Sequence, residues 1–154
     1  NAYYNKAEYD KAMWGYTSWG EAYYNKAEYD IAIADYTEAI RIKPDYAWAY
    51  ALRGQAYASI AEYDTAIAEY DKAIWLNPNY AGAYASRGNA YRNKKEYNKA
   101  IADFSEAIGI KPNYAEAYAL RGQAYASIGE YDKATADNNE AIWISHYYKT
   151  DQPP

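Results

Sequence analysis

Cysteine is absent from this chain, and histidine, phenylalanine and methionine each occur once. Without cysteine there are no disulfides, no thiol catalysis and no thiolate-bound metal, whatever the compartment. The single imidazole, His146, has no partner with which to build a histidine metal site, and it reads as a solvated loop residue. Positive charge is in deficit: the formal net charge of −5 argues against nucleic acid, whose binding rests on a basic surface. No run approaches the roughly 18 apolar residues that cross a membrane, and no charged-then-apolar export segment opens the chain. These absences point to no cofactor, no nucleic acid, no membrane insertion and a cytoplasmic location. Opening at Asn1 and not at Met, the chain reads as processed or as a fragment.

Catalytic patterns are equally scarce. There is no phosphate-cradling glycine loop and no glycine-flanked serine nucleophile. Carboxylates are plentiful, but Glu62, Asp64, Glu69 and Asp71 are expected on the solvated outer face of a second helix, not in a catalytic pair. No catalytic residue is expected.

What the chain has is tyrosine, 23 of them with 5 tryptophans, and a repeat. Ala47–Ile60 (AWAYALRGQAYASI) returns as Ala115–Ile128 (AEAYALRGQAYASI), differing only at Trp48 and Glu116. The 68-residue shift is twice 34, and the prolines fall into four units: 13–46, 47–80, 81–114 and 115–148. Within each, apolar residues recur every three or four positions in two stripes, as in a helical hairpin. In the second unit Tyr50, Gly54, Tyr57 and Ile60 form one stripe, and Tyr63, Ala66, Ile67, Tyr70, Ala73 and Ile74 the other. A break at Ala61-Glu62 separates them, and Pro78 ends the second because proline has no amide proton to give. Asp45, Asn79 and Asn113 stand where N-caps belong, and Asn113 with Glu116 has capping-box spacing. A mid-helix glycine costs about 1 kcal/mol against alanine, so the column Gly20, Gly54, Gly88 and Gly122 predicts close helix approach that offsets the loss.

With these columns in view the chain resembles the tetratricopeptide repeat family. The family's first aromatic column is Tyr16, Tyr50, Tyr84 and Tyr118, and its tyrosine column Tyr23, Tyr57, Tyr91 and Tyr125. Its second-helix aromatic is Tyr36, Tyr70 and Phe104, and its proline Pro44, Pro78 and Pro112. The resemblance implies an all-α, right-handed superhelical solenoid of antiparallel helix pairs, one domain of about four repeats with an incomplete N-terminal unit. The usual leucine column is Trp19, Arg53, Arg87 and Arg121, whose stems are expected to pack while the arginine heads reach water. Asn138 and Asn139 replace the aromatic in the last unit, a terminal repeat needing a polar outer face. The tail after Tyr147 is expected to fray.

The stretch YYNKAEYD occurs at 3–10 and again at 23–30, only 20 residues on. One helix fits in that interval, so the first helix is read as lengthened by about one turn at its start, with a stub at 1–7. Tyr3, Tyr4 and Tyr9 should then be partly exposed, for self-association or as a disordered remnant.

The resemblance also implies a groove lined by first helices that accepts a peptide or helix of another protein. Its residues here are Trp14, Thr17, Glu21 and Tyr24, then Trp48, Ala51, Gln55 and Ser59. Gly82, Ala85, Asn89, Arg92 and Asn93 follow, then Glu116, Ala119, Gln123 and Ser127. The amides of Gln55, Asn89 and Gln123 can each donate to and accept from a peptide bond. The carboxylate clamp of the chaperone-tail binders is not expected, because its basic columns hold Thr17, Ala51, Ala85, Gly82 and Glu116. By unit the charge runs −3, −2, +3 and −3; Arg92, Lys94, Lys95 and Lys99 form a basic turn that could seat an acidic segment. Two function classes follow, an adaptor that holds a partner chain and a module that assembles with itself.

Overall fold

The computed structural model describes the backbone of residues 6–150 and the side chains of 7–147; Tyr3 and Tyr4 lie outside these. The described residues form eight α-helices and no strand: α1 Lys6–Asn25, α2 Tyr29–Ile42, α3 Ala47–Ser59, α4 Tyr63–Leu76, α5 Ala81–Asn93, α6 Tyr97–Ile110, α7 Ala115–Ser127 and α8 Tyr131–Thr150. They fall into two compact units, one up to Pro78 and one from Asn79. In the first, α1 pairs with α2 and α3 with α4, and α2 packs on α3; in the second, α5 pairs with α6, α7 with α8, and α6 packs on α7. No helix among the described residues is long and apolar enough to cross a membrane.

Each pair turns over in the same way. Glu28 N–H donates to the Tyr23 carbonyl and Ala27 N–H to that of Tyr24, and the pattern returns at Glu62/Ala61, Glu96/Lys95 and Glu130/Gly129. This closes the first helix with a left-handed residue, at φ 59° in Ala27, 63° in Ala61, 63° in Lys95 and 82° in Gly129. Only the last is a glycine, which takes that conformation without the side-chain clash. Ala61→Gly is therefore expected to raise stability by about 0.5–1 kcal/mol, read as a higher midpoint in urea.

The core is small and layered. Alanines at the helix crossings are fully buried, with Tyr36, Tyr70 and Phe104 as the large side chains among them. A Cβ on Gly54 would stand 2.8 Å from Tyr70 Cε1, and one on Gly88 2.9 Å from Phe104 Cε1. The glycine column is thus the seat of the second-helix ring. In the last unit a Cβ on Gly122 would meet Asn138 Oδ1 instead.

Several details depart from expectation. The N-cap residues are Tyr46, Tyr80 and Tyr114, with no side-chain cap bond, so Asp45, Asn79 and Asn113 sit one position too early and the Asn113–Glu116 capping box does not form. The first helix gains seven residues over the 13 of α3, two turns where about one was expected. At the other end His146 is helical and α8 runs on to Thr150; without the proline that stops α2, α4 and α6, nothing ends the helix there.

The arginines do not reach water. Arg53 grips Glu69 with two bonds, Nη2 to Oε1 at 2.9 Å and Nε to Oε2 at 3.0 Å. Arg87 holds Asp103 at 2.7 and 2.8 Å, and Arg121 holds Asp137 at 2.8 and 2.7 Å. In each the guanidinium and carboxylate are largely buried, and the arginine lies over the ring three positions earlier, Tyr50, Tyr84 or Tyr118. Glu69 is therefore turned inward and not on the outer face. Burial pushes its carboxyl up, and Arg53 pulls it back. The arginines also reach back one helix pair, Arg53 to the Thr37 hydroxyl and Arg121 to that of Ser105, both at 3.0 Å.

The first pair breaks this pattern. Trp19 stands in the arginine column and Asp35 in the carboxylate column, and Asp35 Oδ2 is buried without a hydrogen-bond partner. Desolvation raises the Asp35 pKa. A carboxyl raised in the folded state binds its proton more readily there than in the unfolded chain, so it lowers stability as pH rises through that window. Asp35→Asn should remove this slope: its melting temperature should exceed the parent's at pH 7, and the gap should close towards pH ~4, near the ordinary carboxylate value.

Candidate functional site

The candidate groove residues divide between the two units. In the first, Trp14 and Trp48 hold equivalent positions on α1 and α3 and are exposed by 58% and 44%, large for indole rings. Trp14 packs edge-on against Tyr46 at 6.3 Å. Glu21 and Gln55 are exposed, and at the far end Tyr24 Oη and Ser59 Oγ share a hydrogen bond of 3.0 Å across the two helices. Thr17 is buried and donates its hydroxyl to the Met13 carbonyl at 2.6 Å. Its one donor is taken and the side chain is covered, so with buried Ala51 it forms floor. This face is aromatic and, through Glu21, acidic.

In the second unit the tryptophan positions carry Gly82 and Glu116, and Ala85 is floor. Ala119 is half-buried. The polar residues are wired together. Arg92 donates Nε and Nη2 to Asn89 Oδ1 at 3.1 and 2.8 Å, and Nη1 to Gln123 Oε1 at 2.8 Å. Arg92 is thus the bridge between α5 and α7. Asn89 and Gln123 were expected to offer a donor and an acceptor each; here the acceptor oxygens face arginine and each amide nitrogen remains to donate. Asn93 and Ser127 are turned back onto their own helices, donating to the Asn89 and Gln123 carbonyls at 3.0 Å.

The basic turn is less basic than its sequence. Lys94 and Lys99 both bond Glu96, whose carboxyl is held low by hydrogen bonds from Lys99 and Lys94. Arg92 belongs to the inner network, so the four cations do not form one patch. The arginine bridge was legible only in part, since a 31-residue separation becomes a contact only once the repeat has set α5 beside α7.

Comparison with known proteins agrees with this geometry. A family model described as TPR repeat matches residues 20–60, 62–94 and 88–129. No curated protein matches the chain. Among solved structures, a crystal structure of MamA is similar with a TM-score of 0.80 and 28% identity, over 94% of this chain and 93% of that one. The Arabidopsis OM64 TPR domain is similar at a TM-score of 0.74 and 25% identity, over 77% and 98%. The first TPR of Spaghetti (RPAP3), bound to HSP90 peptide SRMEEVD, shares the fold at a TM-score of 0.74 and 24% identity, over 77% and 94%. This chain therefore belongs to the TPR repeat family, an all-α solenoid of helix pairs whose members are non-catalytic modules of protein–protein interaction.

Proposed function

We propose that the chain is a scaffold that holds an extended peptide or helix of another protein on the faces of its first helices, without a carboxylate clamp. The observation that carries this reading is the Arg92–Asn89–Gln123 network. It holds two amides on neighbouring helices by their oxygens and leaves their N–H groups to donate, which suits the carbonyls of a partner main chain. Holding these side chains in advance lowers the ordering cost of binding. On the first unit, Trp14 and Trp48 supply the apolar area that anchors a partner side chain, and the acid next to them favours a basic or neutral segment. The RPAP3 structure holds the HSP90 peptide SRMEEVD, which carries three acidic residues, but here the clamp columns carry no lysine, so an acidic C-terminus gains no charge-assisted bonds.

Gln123→Glu places a carboxylate where an amide donor stood and gives Arg92 a salt bridge in its place. The doubly substituted Gln55→Glu, Gln123→Glu chain is expected to keep its helicity by circular dichroism and to lose, by at least about tenfold, the partner proteins that the parent captures. Unchanged capture would refute the groove. Captured peptides are further expected to bind equally well with free and amidated C-termini.

A further inference from the structure

Two helix faces, one near each end of the described residues, hold the positions that form the interfaces between repeats, and among the described residues no further helix packs on them. Inside the first unit, α3 sits on α2 by placing Ala49 against Ala39 and Met13 with Ile40 beside them. Inside the second, α7 sits on α6 with Ala117 against Ala107 and Ala85, beside Ile108. On α1 the counterpart of Ala49 and Ala117 is Gly15, that of Tyr46 and Tyr114 is Ala12, and that of Ala56 is Ala22. Ala12 and Ala22 are exposed, and a Cβ on Gly15 would touch nothing. The position of Ile40 and Ile108 on α8 is Ile142, which is 67% exposed. Beside it an open cleft lined by Ala119, Ala141, Ile142, Ser145 and His146 occupies the place where Tyr114 and Ala117 pack one repeat earlier.

We propose that these faces fit each other: α1 of one copy seats on the α7–α8 cleft of a second copy, head to tail, as α3 seats on α2 and α7 on α6. Two observations select this occupant. First, α1 and α8 each have 20 residues where the other helices have 13 or 14. Between repeats, the end of the second helix lies beside the start of the next first helix. Lengthening α8 at its end and α1 at its start therefore extends the same seam. Because α8 runs helically through the position where α2, α4 and α6 turn, no turn closes the cleft among the described residues.

Second, the two faces depart from the internal pattern in matching places. Leu52, which packs near Tyr36 in the first unit, has Ser18 as its counterpart on α1, and Tyr36 has Asn138 on α8. Polar meets polar in that half of the seam, while Gly15 and Ala12 meet Ile142 in the other.

A heterologous interface of this kind leaves one open face on every copy and propagates. The weight-average mass from sedimentation or light scattering should rise across roughly 5 to 500 µM, as mass action requires. Ile142→Lys alters an exposed position and Gly15→Lys one where a new side chain would touch nothing in its own chain, so neither should lower helicity or melting, and Gly15→Lys should raise melting by removing a mid-helix glycine. Each is expected to weaken assembly by at least about a hundredfold, because the interface would bury an unpaired ammonium. The deciding measurement is the mixture. Gly15→Lys chains keep the cleft and Ile142→Lys chains keep the α1 face, so together they should form a one-to-one dimer that grows no further. A parent that stays monomeric throughout, or a mixture of the two variants that does, would overturn the proposal. Neither substitution touches Arg92, Asn89 or Gln123, so peptide capture by the variants is read separately.

Discussion

Arg121→Ala is expected to destabilise the protein by about 3–5 kcal/mol, the usual result of leaving a buried charge without its partner. Asp137 would keep its place on α8, 9% exposed, but lose both charge-assisted bonds, and Ser105 would lose the arginine that reaches back to it. At the sensitivity of a chain this long, a few degrees per kcal/mol, the melting temperature should fall by on the order of 10 °C. The control separates the loss of a good interaction from the exposure of a bad one. Replacing both members, Arg121→Leu with Asp137→Leu, removes the pair and its desolvation cost together and should be close to neutral. If the single substitution proves no worse than the double in calorimetry, the pair is not the buried unit described here.

Phe104→Ala should have a comparable cost, about 3–5 kcal/mol. The ring is fully buried at the crossing of α5 and α6 and lies on Gly88. The informative companion is Gly88→Ala. In the parent, its new methyl would stand 2.9 Å from Phe104 Cε1 and 3.2 Å from the Ala100 carbonyl oxygen, a crowding worth about 1–3 kcal/mol that outweighs the roughly 1 kcal/mol of helix propensity gained. With the ring gone, the methyl enters vacated space and the propensity gain remains, so Gly88→Ala should become stabilising. A cycle of the four chains in urea would show that reversal of sign as a large coupling between the two positions. Additive effects would mean that ring and glycine do not share a seat.

The repeat made the layout readable. A 34-residue period fixes which residues share a column, and the glycine column predicted where helices close on one another. What stayed hidden were the contacts that join columns. The arginine and its carboxylate are 16 residues apart on different helices. A search at that spacing finds Arg53/Glu69, Arg87/Asp103 and Arg121/Asp137, with Trp19/Asp35 as the exception; scanning for three-and-four spacing passes over it. The caps misled for a different reason. Asp and Asn before a helix are good caps in general, but here a tyrosine takes the N-cap position and the Asx residue sits one place outside. Trp14 and Trp48 were placed on the groove from their column, and their exposure is consistent with that. The role of Arg92 was hidden by the lysines beside it, which share its charge but turn to Glu96.

The arginine anchors also have a direction. Arg53 fastens three helices at once, α2, α3 and α4, and Arg121 fastens α6, α7 and α8, whereas α1 has tryptophan at that place and is fastened by none. Each anchored helix breaks a buried ionic lock as it leaves its neighbours, whereas α1 breaks none and its departure returns the unpartnered Asp35 carboxylate to water. Within the first unit, melting therefore has a built-in starting point at α1, the helix a second copy would cover.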